Sequence, residues 1–217
     1  PHELLLAAVA CAASGTVRRV PVQRLREDDA IVSLDLDYTS IGVISVGLLG
    51  LMLPAAASVR SLSLGSNYIG AEGATALAAI LKETKITNLN LKGNAIGAEG
   101  ATALAAILKK TMITDLKCAA RTRVFAFVSA PLTLPAPPSG HSLDRNAICG
   151  NLGYHGTYTA EGITKLGNAL KGSAVTSLNL EANGIGDKGA TALAAVLKET
   201  MITNLNLGYN NIGVEGT

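Results

Sequence analysis

The sequence predicts an α/β solenoid, in which short parallel strands form a curved sheet on the concave side and helices cover the convex side. Three observations support this fold class. A unit of 27 residues recurs along the 217-residue chain. Each unit opens with alternating apolar and polar residues and continues with an apolar stripe at helical spacing. Aromatic residues make up only 3% of the chain, which suits thin stacked layers of Leu, Ile and Ala.

The repeating unit is clearest around Leu89 and Leu91, which alternate with polar residues as in a short strand with one buried face. Asn94 follows where the chain must turn, and its amide can satisfy backbone groups left unpaired there. Copies of this unit cover residues 59–73, 86–100, 175–186 and 202–213, and a weaker copy begins at Ile31. Since one unit cannot bury both of its apolar faces alone, the units must stack.

The second half of the unit predicts a helix over Ala101–Lys109, preceded by Gly97 and Gly100, which relax steric limits at its entry. Within this span, Leu104, Ile107 and Leu108 form one apolar stripe. Glu99 near the start and the lysines near the end complement the helix dipole.

These residues together carry a family resemblance. The frame L-x-L-x-x-N-x-I-G-x-x-G-x-x-x-L-x-x-x-L resembles ribonuclease-inhibitor-type leucine-rich repeats, which also occur in the sensor halves of NOD-like receptors and in the Ran GTPase-activating protein. The resemblance covers residues 31–117 and 143–217 and implies a leucine-rich-repeat solenoid. It implies a protein-interaction scaffold or sensor arm, with a regulator of a small GTPase as the alternative.

The repeat divides the chain into segments. Residues 1–30 are interpreted as an N-terminal flank or degenerate repeat, 31–117 and 143–217 as leucine-rich repeats, the latter truncated at the C-terminus. Residues 118–142 are interpreted as an insertion, because skipping them joins Lys117 to Leu143 and restores the frame. This proline-rich segment is a translated intron, a disordered stretch or a binding loop. A second disturbance over residues 149–158 is a decayed strand or a loop.

Residues 38–59 carry no charge, and their length would permit a membrane span. A degenerate repeat is favoured instead, because Ile41, Leu49 and Leu53 fall where the frame expects apolar residues. We therefore do not expect a membrane contact.

The sequence holds no convincing catalytic constellation. Gly184–Gly189 fits G-x-G-x-x-G, but the same slot in other copies explains the match, so no nucleotide site is expected. His141, Cys149 and His155 lack a fourth ligand at sensible spacing, so no metal is expected. The net charge of +2 argues against nucleic acid. We expect no enzyme activity, no cofactor and no small-molecule ligand, and the odd cysteine count favours a reducing, cytoplasmic setting.

Binding is expected on the strand residues that alternate with the buried leucines and face the concavity. They are small, polar and of mixed charge, and they suit a protein partner. The predicted binding residues are Asp35, Asp37, Ser61, Ser63, Asn88, Asn90, Lys92, Asp115, Lys117, Asn179, Glu181, Asn204 and Asn206. Tyr38 and Tyr209 are expected at the rim of this surface.

Overall fold

The computed structural model describes residues 20–26, 30–119, 148 and 159–216. Within these residues, six parallel strands form one sheet in chain order. The strands are β1 (Ser33–Asp35), β2 (Ser61–Ser63), β3 (Asn88–Asn90), β4 (Asp115–Lys117), β5 (Ser177–Asn179) and β6 (Asn204–Asn206). The helices are α1 (Val22–Arg26), α2 (Val43–Met52), α3 (Gly70–Leu81), α4 (Gly97–Leu108), α5 (Glu161–Leu170) and α6 (Gly186–Leu197), and a 3₁₀ turn spans Val214–Gly216.

The middle leucine of every strand lies in one row across the sheet, from Leu34 on β1 to Leu205 on β6. Leu62 and Leu89 are almost fully buried, because side chains of a strand alternate between its two faces and the helices cover one of them. Leu205 is half-buried, since it belongs to the last described layer. These leucines share one continuous hydrophobic core with the helices, which confirms the predicted α/β solenoid.

Buried asparagines form a ladder that ties neighbouring layers together, as Asn94 and Asn210 show. Asn94 is fully buried, and its Oδ1 accepts from the backbone N–H of Asn67 at 3.0 Å. Its Nδ2 donates to the carbonyl of Leu64 at 2.8 Å, which also belongs to the preceding layer. Asn210 repeats both bonds toward the layer of Asn183. The predicted turn role of Asn94 is thereby confirmed, with partners in the neighbouring repeat.

The helices begin earlier than the sequence predicted. The predicted helix over residues 101–109 spans Gly97–Leu108 instead, because Ala98 and Glu99 are good helix formers and continue the helix back to the glycine. Gly97 has a φ of +68°, a conformation that costs glycine little. The apolar stripe is as expected, with Leu104 and Leu108 buried.

The uncharged segment after β1 is a layer of the solenoid. Helix α2 occupies ten of its residues, and Ile41, Leu49 and Leu53 are buried in the common core, as a degenerate repeat predicts. Pro54 lies two residues beyond Met52, directly after the C-cap residue Leu53. In the part of the chain that the structure describes, no helix is both long and apolar enough to cross a membrane.

Two residues of the predicted insertion are described, and both continue the repeat. The backbone N–H of Cys118 donates to the carbonyl of Asn179 at 2.9 Å, as that of Leu91 donates to Lys117. Cys118 is buried and fills the place that Leu91 fills in its own repeat, which is the place the frame would give to Leu143. The remainder of residues 118–142, Leu143 and the disturbance at 149–158 lie outside the described residues, so their interpretation stays a prediction.

Candidate concave binding surface

The exposed face of the sheet brings the predicted binding side chains together in three rows. Because helices pack more widely than strands, this face is the concave one. The first row holds Ser33, Ser61, Asn88, Asp115, Ser177 and Asn204. The second row holds Asp35, Ser63, Asn90, Lys117, Asn179 and Asn206. The third row lies two residues further along each chain segment and holds Asp37, Gly65, Lys92, Ala119, Glu181 and Gly208, of which Gly65 and Ala119 are buried. These three rows are called the concave surface below.

The amino-terminal end of the concave surface is held together by its own hydrogen bonds. Asp37 Oδ1 accepts from the hydroxyl of Ser63 at 2.7 Å and from the backbone N–H of Gly65. Asn90 Nδ2 donates to Ser63 Oγ at 2.8 Å, so the network crosses three strands. A Cβ at Gly65 would lie 3.0 Å from the Asp37 carboxylate, so glycine leaves room for this side chain. Asp37 therefore has a structural role besides the predicted binding role.

Asparagines of the second row share one conformation. The Oδ1 atoms of Asn90, Asn179 and Asn206 each accept from the backbone N–H two residues ahead, at 3.0 to 3.1 Å. The carbonyl end of each amide is thus fixed, which leaves the NH₂ end to face neighbouring side chains. The Nδ2 of Asn206 donates a hydrogen bond to the Glu181 carboxylate at 3.3 Å. This part of the surface presents hydrogen-bond donors in an ordered array.

The centre of the concave surface carries exposed charge. Lys117 Nζ lies 3.5 Å from Asp115 Oδ2, and Lys92 is exposed on the adjacent strand segment. Asp115 Oδ1 is buried and has no hydrogen-bond partner. Donors, acceptors and both signs of charge thus lie side by side, an arrangement that can bind polar groups of a partner.

Beneath this centre lies the buried Cys118. Burial raises the pKa of its thiol to about 12, so the reactive thiolate is strongly disfavoured. Cys118 therefore behaves as a small apolar core residue.

Exposed tyrosines follow the strands at one edge of the sheet. Tyr38 and Tyr209, which are predicted to lie at the rim, are 64% and 77% exposed. Tyr68 is also exposed, at 52%, and sequence reasoning missed it. Its position directly after the ladder residue Asn67, where the chain turns, is the feature of the sequence that could have predicted its exposure. All three adopt a positive φ near 55°, so the backbone directs each ring away from the core.

Two other kinds of site, for a nucleotide and for a metal ion, were considered among the described residues. Gly184 and Gly186 occupy the places of Ala95 and Gly97 in their repeat, and all four have positive φ, so the glycine motif belongs to the repeat frame. No group of three or more potential metal ligands occurs within the described part of the chain. His141, Cys149 and His155 lie outside it.

Comparison with known proteins supports this description. A leucine-rich-repeat family model matches residues 55–78, 82–105, 174–194 and 198–216. A solved structure described as "Leiomodin-1 Actin-Binding Site 2 (ABS2)" has the same fold, with a TM-score of 0.56 at 17% sequence identity. The match covers 82% of this chain and 85% of that chain. No curated protein is matched by sequence. The repeats, the parallel sheet and the shared fold show a leucine-rich-repeat solenoid.

Proposed function

We propose that this leucine-rich-repeat protein is an interaction scaffold or sensor arm that binds a protein partner on the concave surface, and that it performs no catalysis there. The observation that carries the proposal is the sheet face of six strands on which polar side chains stand in register, opposite a buried leucine row. Leucine-rich-repeat domains generally mediate protein–protein interaction.

The hydrogen bonds within the concave surface favour binding without rearrangement. Asp37, Ser63 and Asn90 hold one another in place, and each second-row asparagine is fixed by its own backbone. Side chains that are already ordered lose little conformational entropy when a partner binds. The surface lacks arginine and tryptophan, the residues that with tyrosine dominate most interfaces, so the rim tyrosines are the expected anchors.

The proposal is tested by placing bulk on the concave surface. Asn88→Arg and Asn204→Arg introduce long cationic side chains at exposed positions of β3 and β6. Ala106→Arg and Ala194→Arg, at exposed positions on the convex helices α4 and α6, are the matched controls. Partners captured from an extract of the source cells by the wild-type chain are purified and titrated against all four variants by calorimetry. We expect the concave variants to weaken binding at least about tenfold, and equal loss in the convex variants would refute the proposal.

Two named candidates belong in the same titration. Actin is one, because the similar solved structure is described as an actin-binding site. Small GTPases are the other, because the sequence resemblance extends to the Ran GTPase-activating protein. If this protein accelerates GTP hydrolysis by any member of a panel of small GTPases, the regulator alternative is supported and the scaffold proposal is refuted.

A further inference from the structure

One edge of the solenoid carries a row of lysines. Because all strands are parallel and in register, the loops that lead from α3, α4, α5 and α6 into β3, β4, β5 and β6 lie side by side. The lysines of these loops are Lys82, Lys85, Lys109, Lys110, Lys171 and Lys198. They are called the basic edge below.

The basic edge is only partly neutralised. Its loops contain two acidic residues, Glu83 and Glu199, which pair with Lys82 at 3.8 Å and with Lys171 at 3.0 Å. Among the described residues, no ion pair involves the other four lysines, and those four are exposed. The opposite edge, where the helices begin, carries an acidic residue in the first turn of each of the same helices: Glu72, Glu99, Glu161 and Asp187.

Helix dipoles explain part of this segregation. Lysines at the helix C-caps, such as Lys82 and Lys109, lie at the negative ends of their helices and are favoured there. The dipole effect fades within the last turn, so it does not account for Lys85, three residues beyond its C-cap. Lys110 adds a second positive charge to a helix end that already has one.

Exposed methionines lie among these lysines. Met112 and Met201 are 57% and 62% exposed and stand directly before the first apolar residue of their repeats, the place that Lys85 takes in its own. The basic edge thus presents apolar and cationic side chains close to one another. Methionine packs adaptably against apolar groups, so this pattern offers more than a solvated row of charge.

We propose that the basic edge binds an acidic segment of a protein partner in which carboxylates alternate with apolar side chains. The carboxylates pair with Lys85, Lys109, Lys110 and Lys198, and the apolar side chains pack on Met112 and Met201. At an interaxial distance of 8–10 Å, the four helices extend over roughly 30 Å, which about nine extended residues span.

A protein segment fits this edge better than a nucleic acid does. Single-stranded nucleic acids are held by aromatic stacking as well as by charge, and the four loops contain no aromatic residue. The methionines have no role toward a phosphate backbone but fit leucine-like side chains. Since the concave surface is not involved, this inference goes beyond the proposed function and is tested separately from it.

The probe is a fluorescently labelled peptide of about 12 residues with the repeat Glu-Glu-Leu, long enough to span the edge. Its binding to the full chain is measured by anisotropy. Lys85→Glu with Lys110→Glu should weaken binding about tenfold, and Met112→Ser with Met201→Ser should weaken it about threefold. The control, Lys165→Glu with Lys188→Glu, makes the same change of net charge at exposed positions of α5 and α6, away from the edge, and should have little effect. Circular dichroism verifies that each variant is folded.

Several results would overturn the inference. Absence of peptide binding would refute the inference. Equal weakening by the control pair would show that the peptide is held only by long-range attraction between net charges. Tighter binding of an oligonucleotide or of phosphatidylserine vesicles through Lys85 and Lys110 would assign the edge to that other class of ligand. Peptide binding that is unchanged in Asn88→Arg and Asn204→Arg would show that the basic edge acts independently of the concave surface, as proposed.

Discussion

Replacing Asn94 by leucine tests how strongly the asparagine ladder stabilises the solenoid. Leucine has the same number of side-chain heavy atoms as asparagine but can neither donate nor accept hydrogen bonds. Asn94 is fully buried, so water cannot take over the bonds that are lost. The change therefore leaves the N–H of Asn67 and the carbonyl of Leu64 buried without a partner.

The expected cost follows from those two groups. A buried polar group that loses its hydrogen bond costs about 1–3 kcal/mol, so Asn94→Leu should lower the free energy of unfolding by about 2–6 kcal/mol. Two longer contacts at 3.4 Å, from Ile69 N–H and to the carbonyl of Lys92, add little. Because domains are typically stable by about 5–15 kcal/mol, this loss is a large share of the total.

Urea unfolding followed by far-ultraviolet circular dichroism measures the effect. Asn168→Ala is the control, because Asn168 is exposed on α5, and its change should stay within about 0.5 kcal/mol. Asn94→Ala should be destabilised at least as much as Asn94→Leu. A midpoint for Asn94→Leu equal to that of the wild type would show that side-chain volume, and not hydrogen bonding, is what the ladder supplies.

Three further predictions concern single positions. A Cβ at Gly100 would lie 2.5 Å from Ile96 Cγ2, so Gly100→Ala should destabilise the protein by about 2 kcal/mol. Gly47 has open space around it, so Gly47→Ala should stabilise the protein by about 1 kcal/mol. Thermal unfolding of the two variants and the wild type measures both effects. Gly97 has a φ of +68° and equally open surroundings, so Gly97→Ala should cost about 1 kcal/mol through backbone strain alone, and an unchanged melting temperature would contradict this. Burial raises the pKa of Cys118 from 9.0 to about 12, so its thiol ionises first in the unfolded state. Above about pH 9 stability should fall by roughly 1.4 kcal/mol per pH unit more in the wild type than in Cys118→Ala, up to about pH 12, as urea unfolding at stepped pH would reveal.

Sequence periodicity predicted the strands well because their pattern is local. The alternation of apolar and polar residues around Leu62 and Leu89 predicts which side chains are buried. The constant spacing between repeats predicts which of these side chains become neighbours in the sheet. The face on which the concave surface lies follows from the same alternation. Ile41, Leu49 and Leu53 could be placed for the same reason, although the rest of their repeat has diverged.

Some of the features that sequence reasoning missed depend on contacts between layers. Asp37 was predicted to bind a partner, and the hydrogen bonds that its carboxylate accepts from Ser63 and Gly65 of the next repeat were not predicted. The start of α4 was placed too late, because Gly97 was interpreted as part of the turn. Cys118 was assigned to the insertion, since its chemistry differs from leucine although its buried place in the core does not. The contacts of Asp37 and Cys118 cannot be read from a single repeat.

The same hydrogen bonds form between neighbouring layers whether the chain between them is short or long. The hydroxyl of Thr114 donates to Thr87, 27 residues earlier, and that of Thr176 donates in the same way to Thr114, 62 residues earlier. Closing the longer connection costs only about 0.7 kcal/mol more, because loop entropy grows with the logarithm of length. A protein built this way can gain or lose whole segments between two strands while every strand keeps its neighbours, so new loops can arise without a new fold.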